Sequence, residues 1–179
     1  MKYTIDYKAI QEVSKHRGLA DANPQISGIM IKDEGAHRLY VATNGMMLME
    51  IKTERNGAIL KNPLVLIPDD RALPQVAFYT KDPVELEPIG DDRWIVDTGN
   101  RIIAFREYKD QFVDYKKVYP KKGQKARFFV TFDPNLFSRI FPLVRNITPI
   151  MDGDQDAAMW EIVKENRNYT IVLMPMAKG

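Results

Sequence analysis

The feature that most constrains this chain is an internal repeat of roughly sixty residues, in which one strand and one helix are followed by three strands. In the first copy Tyr3 to Asp6 reads as a strand running into a helix, with Asp6 as N-cap, Ile10 and Val13 on the apolar face and Gly18 as the stop. Alternating segments follow at Gly28–Lys32, Arg38–Ala42 and Met46–Ile51, and Thr43-Asn44-Gly45 supplies a strong hairpin signal between the last two. The second copy opens with Leu64–Ile67, closes that strand at Pro68 and enters a helix near Asp69 or Asp70 that carries Leu73, Val76 and Phe78. Pro74 fits only the first turn of such a helix, so the helix is expected to be short or distorted. Its strands are Val84–Ile89, Arg93–Asp97 and Arg101–Phe105, with Thr98-Gly99-Asn100 at the hairpin. The third copy opens with Phe128–Phe132, and Asp133-Pro134 reads as an N-cap with proline at the first helical position. Leu136, Phe137, Ile140, Phe141 and Val144 form the helix's apolar face, Pro142 is expected to kink it or end it early, and strands follow at Ile147–Met151, Ala158–Val163 and Tyr169–Met174.

A unit of this kind exposes one face of a sheet and must bury it, so copies are expected to pair. Residues 1–60 and 61–120 then make one complete domain, residues 121–126 a basic linker, and residues 127–179 a half domain expected to pair with another chain. The linker region is rich in charge, with Lys116, Lys117, Lys121, Lys122, Lys125 and Arg127 interrupted by Pro120 and Gly123. Apolar residues at 45% and charged residues at 28% are those of a globular chain. No apolar run approaches the roughly 20 residues that span a bilayer, and the first residues lack the apolar core of a signal peptide. With no cysteine in the chain, disulfides, thiolate metal sites and a cysteine nucleophile are excluded, and a cytoplasmic location is expected. The net charge of +2 decides nothing about nucleic acid, because that inference depends on where the charges lie.

Three segments carry a family resemblance. Val41 to Leu48, reading VATNGMML, resembles the VATDGHRLA hairpin of the bacterial DNA polymerase III beta subunit, the DNA sliding clamp. Phe112 to Pro120 is similar to that family's FPDYRRVxP segment, and Ile171 to Met176 to its C-terminal VVMPM ending. Their order, each correctly placed against a strand, helix and three-strand unit, identifies the chain as similar to a clamp shortened to one and a half domains. What the resemblance implies is an α+β DNA clamp fold, with helices lining a channel and sheets outside. It also implies a non-enzymatic function: a processivity factor that encircles duplex DNA and takes polymerase or clamp-loader peptides in a hydrophobic pocket. The family ring has twelve units, so three units per chain imply a homotetramer in which lone third copies pair across a two-fold axis. The short length and the departures from the family pattern suggest a phage or mobile-element version.

Carried over by resemblance, the pocket lining is Ile26, Thr43, Gly45, Leu48, Pro68, Leu73, Val172, Met174, Pro175 and Met176, with Met46 and Met47 standing where the family has His-Arg. Read without the resemblance, these methionines are ordinary core residues. The channel side is expected to present Lys8, Lys15 and Arg17 from the first helix, Arg71 from the second, and Arg139 and Arg145 from the third. Such groups attract phosphate without reading sequence, and taken alone they equally describe a solvated face.

Enzymatic alternatives find little support. Asp152, Asp154 and Asp156 mimic the start of a calcium loop, but the required glycine is Ala157 and the bidentate glutamate position is Val163. His16 and His37 have no ligand spacing around them, and neither a nucleophile elbow nor a phosphate loop is present. Asp33-Glu34, Asp69-Asp70 and Asp91-Asp92 fall where turns and caps are expected. No cofactor or metal is therefore expected. A different reading is an interaction protein that keeps the clamp fold and modulates a host clamp without encircling DNA.

Overall fold

The structure is a computed structural model that describes residues 1–18, 23–69, 73, 83–99, 101–120, 132–144, 147–151 and 157–176. The second repeat's helix, the linker lysines from 121 onward, most of the strand expected at Phe128–Phe132 and the three aspartates at 152–156 lie outside the described residues.

The first repeat forms β1 (Tyr3–Ile5), α1 (Tyr7–Ser14), a single turn α2 (Pro24–Ser27), β2 (Ile29–Glu34), β3 (His37–Thr43) and β4 (Met47–Glu54). The second contributes β5 (Leu64–Pro68), β6 (Val84–Pro88), β7 (Arg93–Asp97) and β8 (Ile102–Glu107), and the third contributes α3 (Pro134–Val144), β9 (Ala158–Lys164) and β10 (Arg167–Leu173). All ten strands hydrogen-bond into one antiparallel sheet in the order β1-β6-β7-β8-β5-β2-β3-β4-β10-β9. The first two repeats interlock reciprocally, since β1 pairs with β6 and β5 with β2, so each repeat lends its first strand to the other.

Both faces of this sheet are apolar, and each has its own cover. On one face α1 buries Tyr7, Ala9, Ile10 and Val13 over β2, β3 and β4, and α3 buries Leu136, Ile140 and Val144 over β9 and β10, in one core cluster with Ile31, Tyr40, Met49, Trp160 and Ile171. On the other face Met30, Val41, Leu48, Met159 and Val172 lie under Phe112 and Tyr115 from the segment that follows β8. That segment, including a 3-10 turn at Tyr115–Val118, acts as a strap across the outer face. Edge-on ring contacts between Phe112, Tyr115 and Tyr119 stiffen it, and the Tyr115 hydroxyl donates to the buried Glu50 carboxylate at 2.8 Å.

The third repeat is not left without partners in its own chain. β10 pairs with β4 from Asn168 opposite Lys52 to Leu173 opposite Met47, which carries the sheet out of the first repeat and into the third. A two-residue turn, Glu165-Asn166, with both residues at positive φ (51° and 60°), joins β9 to β10 and presents Arg167 at its exit. The Arg167 guanidinium grips the Asp6 carboxylate through Nε at 2.7 Å and Nη2 at 3.0 Å. Asp6 also accepts from the Ala9 N–H at 2.9 Å, so the expected N-cap of α1 is at the same time the third repeat's anchor.

Three local expectations need correction. α1 ends at Ser14 rather than at Gly18, which is glycine because a Cβ there would lie 2.8 Å from Ile26 Cγ1. α3 runs through Pro142 to Val144, since burial of Ile140 and Val144 outweighs one lost hydrogen bond in the last turn. The strand expected at Ile147–Met151 is only a single bridge, Ile150 to Met159, because Pro149 has no N–H to continue the ladder.

Arg38 is the largest fully buried side chain described, and its fork donates to both Asp33 carboxylate oxygens (2.7 and 2.9 Å) and to the carbonyls of Thr4 and Ala58. Burial alone would raise the Asp33 pKa, but hydrogen bonds from Arg38 and the Leu60 N–H, with the charges of Arg38 and Arg55, leave it below the usual value. A depressed carboxylate stabilises the fold above its unfolded pKa and ceases to do so as pH falls through the folded one. Replacing Asp33 by Asn should cost about 3–5 kcal/mol, because the Arg38 charge stays buried without its partner. Urea unfolding near neutral pH measures this, and the acid-induced loss of stability below about pH 4 should shrink in the same variant.

Candidate functional site

The junction of the first and third repeats holds a cavity of about 180 Å³. Its wall begins at the β3–β4 turn, which the sequence builds from side-chain hydrogen bonds. Thr43 Oγ1 donates to the Met47 carbonyl at 2.8 Å and accepts from the Gly45 N–H at 3.1 Å. Asn44 Oδ1 accepts from the N–H groups of Met46 and Met47, while Gly45 supplies the positive φ of 88°. The Met174 N–H then donates to the Met46 carbonyl at 2.9 Å, tying the end of β10 to this turn. The Gly18 N–H donates to the carbonyls of both Ile26 and Thr43, which holds α2 against the same wall.

Eight residues carried over in the sequence reading line this cavity: Ile26, Thr43, Gly45, Met46, Met47, Leu48, Val172 and Met174. Leu48 and Val172 stand opposite each other across the β4–β10 ladder. Met47 borders the cavity although it is itself buried in the core cluster on the helix side. Four other carried-over residues are not in the lining. Pro68 is buried in β5 opposite Phe105, Leu73 packs against the helix-side core, and Pro175 and Met176 follow Met174 on the way out of the sheet.

The cavity's remaining wall is the strap, through Val113, Asp114, Tyr115 and Val118. These residues were missed as lining, although the segment containing them stood out in the sequence. The available signal was its aromatic spacing, which leaves Phe112, Tyr115 and Tyr119 to find an apolar surface while the intervening positions face elsewhere.

Among the described lining residues polar capacity is small and already engaged. Thr43 is engaged within its turn, the Tyr115 hydroxyl is committed to Glu50, and the Asp114 carboxylate pairs with Lys117 at 3.1 Å. The site therefore suits apolar anchors and offers little to a charged or strongly polar group.

Of the basic residues expected on the channel side, Lys15 and Arg139 are exposed, and the charges of both reach the same buried side chain, His16. Lys8 is paired with Glu165 at 2.7 Å, and Arg17 is half-buried with Nη1 donating to the Ser27 carbonyl at 3.3 Å. Arg71 and Arg145 lie outside the described residues. Among the described residues no group of three or more His, Asp or Glu could hold a metal ion, and no helix is long and apolar enough to cross a membrane.

The arrangement of sheet, helices and interlocked repeats is the DNA clamp fold. Solved structures that it resembles include DNA polymerase III beta subunits. The one from Thermotoga maritima superposes with a TM-score of 0.67 at 13% identity over 100% of this chain and 66% of that one. The Pseudomonas aeruginosa subunit gives 0.69 at 13% identity over 99% and 67%, and the Borrelia burgdorferi subunit, solved with a natural product, 0.67 at 16% over 100% and 65%. The chain thus spans about two thirds of the length of these proteins. No protein-family model matches the sequence, and the comparison with curated proteins yields no match.

His16 gives a testable consequence. It is 5% exposed, Nδ1 has no hydrogen-bond partner, and burial, then the charges of Arg139 and Lys15, push its pKa down to about 4. The unfolded chain, titrating near 6.5, binds more protons between those values, so this contribution is full above pH 6.5 and declines as pH falls toward 4. Between pH 6.5 and 5 the loss should be about 2 kcal/mol. In His16→Gln, urea unfolding should show a correspondingly flatter dependence over that interval.

Proposed function

We propose that this chain is a sliding-clamp protein, a ring subunit that surrounds duplex DNA and holds polymerase or clamp-loader peptides at the junction of its first and third repeats. The observation that carries the reading is the junction cavity, an apolar recess assembled on a clamp fold from α2, the β3–β4 turn, the strap and the end of β10. An extended peptide with apolar anchors suits such a site, because methionine side chains adapt to more than one anchor shape.

Residues 1–120 act in this reading as a complete clamp domain, 121–126 as a basic linker and 127–179 as a half domain completed by a second chain. Two such dimers close a homotetrameric ring of twelve units. The reciprocal exchange of first strands between repeats one and two supplies the pattern for that pairing. The third repeat lies at one end of the sheet, with Phe141 and Ile147 exposed. Lys8, Lys15, Arg17 and Arg139, together with Arg71 and Arg145 outside the described residues, supply in this reading the positive charge that attracts phosphate without reading sequence. Processivity then comes from topology, and the protein works in the cytoplasm without metal, cofactor or catalysis.

Light scattering over a concentration series tests ring closure. Four chains of 20.6 kDa, about 82 kDa in all, are expected, with retention on circular but not on linearised DNA. A monomer at every concentration contradicts the ring. Met174→Asp should weaken binding of a fluorescent hexapeptide with leucine and phenylalanine anchors at least tenfold, roughly 1.4 kcal/mol or more, because the described lining offers the charge no cationic partner. Retained affinity removes the pocket assignment.

A further inference from the structure

We infer that Met46 and Met174 are oxidation sites through which a hydroperoxide switches the junction cavity off. This inference rests on reading that cavity as a peptide site. The chain has nine methionines, and Met30, Met47, Met49, Met151 and Met159 are all buried at 5% exposure or less. Met46 at 60% and Met174 at 38% are exposed while lining the cavity, and Met176, at 50%, follows two residues on. The other exposed methionine is Met1, at the chain's start and outside the cavity lining. Solvent-borne oxidant therefore meets the cavity rim ahead of the core.

The step is a two-electron oxygen transfer. The thioether sulfur attacks one peroxide oxygen, the O–O bond breaks, an S–O bond forms, and the released hydroxide takes up the hydroxyl proton to leave water and methionine sulfoxide. The product exchanges an apolar, adaptable surface for a strong hydrogen-bond acceptor.

What makes this a switch is that the described lining residues offer no free side-chain donor to receive that oxygen. Among the described residues, only Thr43, Asp114 and Tyr115 contribute polar side chains to the lining. The Thr43 hydroxyl donates to the Met47 carbonyl, the Tyr115 hydroxyl donates to Glu50, and a carboxylate has no proton to give. In the empty protein water satisfies the sulfoxide. An apolar anchor that enters must strip that water and leave the S–O group buried and unpaired, which opposes binding.

The test exposes the full-length protein to graded hydrogen peroxide and follows each methionine by peptide-mapping mass spectrometry. The leucine- and phenylalanine-anchored fluorescent hexapeptide is titrated in parallel. Met46, Met174 and Met176 should oxidise at least tenfold faster than Met47 or Met49, and affinity should fall at least tenfold as Met46 and Met174 convert. Methionine sulfoxide reductases of both epimer specificities should restore it. In a Met46→Leu, Met174→Leu variant the affinity, whatever its starting value, should stop responding to peroxide. Equal oxidation of Met47, or full affinity in protein oxidised at both rim positions, overturns the inference while leaving the peptide-site reading intact. Absence of peptide binding before any peroxide is added overturns both.

Discussion

The antiparallel pairing of β4 with β10 is the interaction on which the remaining architecture depends. Without it the third repeat has no place on the sheet, Val172 has no Leu48 opposite it, and the junction cavity loses one wall. The ladder is reinforced at its far end, where Arg167 reaches across 161 residues of sequence to the Asp6 carboxylate. That carboxylate also caps α1, and the Asp6 N–H donates to the Tyr40 hydroxyl at 2.8 Å. One acidic residue therefore couples a helix start, the core and the attachment of the third repeat, the first and last through its carboxylate and the core through its N–H. Its bidentate geometry fixes direction as well as proximity, which a lysine in place of Arg167 would not do.

A sheet that is apolar on both faces needs two covers, and the two have different consequences. The helix-side cover is a packed core in which α1 and α3 meet the larger cluster. The outer cover is a single strap whose hold depends on Phe112, Tyr115 and the hydrogen bond to Glu50, beside Lys32 with Nζ 5.6 Å from the Tyr115 ring centre. Because the strap covers only part of that face, it leaves a recess at its margin instead of a closed core. The cavity is the space between a complete ladder and an incomplete cover.

The repeats, hairpins and caps were legible in the sequence because each has a local cause. Asp6 before an apolar periodic run, Asn44-Gly45 between alternating segments, and Pro134 after Asp133 each act through neighbours a few residues away. The β4–β10 pairing has no such signature, since alternation in Tyr169 to Met174 specifies a strand but not its neighbour. The same holds for the strap, whose motif was recognisable while its place against Leu48 and Val172 depends on the folded sheet. Gly18 illustrates the opposite error. Its position after a helical run invited reading as a cap, whereas its need is steric and comes from Ile26, which only the tertiary approach of α2 creates. Pro68 and Leu73 were carried over to the pocket by resemblance alone; Pro68 lies buried in β5 opposite Phe105, and Leu73 packs against the helix-side core.

The charges show why a clamp-like reading does not require a strongly basic chain. Lys8 is partly neutralised by Glu165, and Arg17 is turned toward the Ser27 carbonyl. Lys15 and Arg139 remain exposed from two different repeats, and both act on the one buried imidazole that lies near them. A neutral His16 keeps that neighbourhood at two positive charges near neutral pH instead of three. For a ring held on DNA by closure, a few loosely placed cations are sufficient, because tight phosphate contacts would oppose sliding. The net charge of +2 is consistent with that requirement, since attraction is needed only along one surface. In the proposed reading specificity is left to the apolar cavity, whose described lining residues hold no unused side-chain donor.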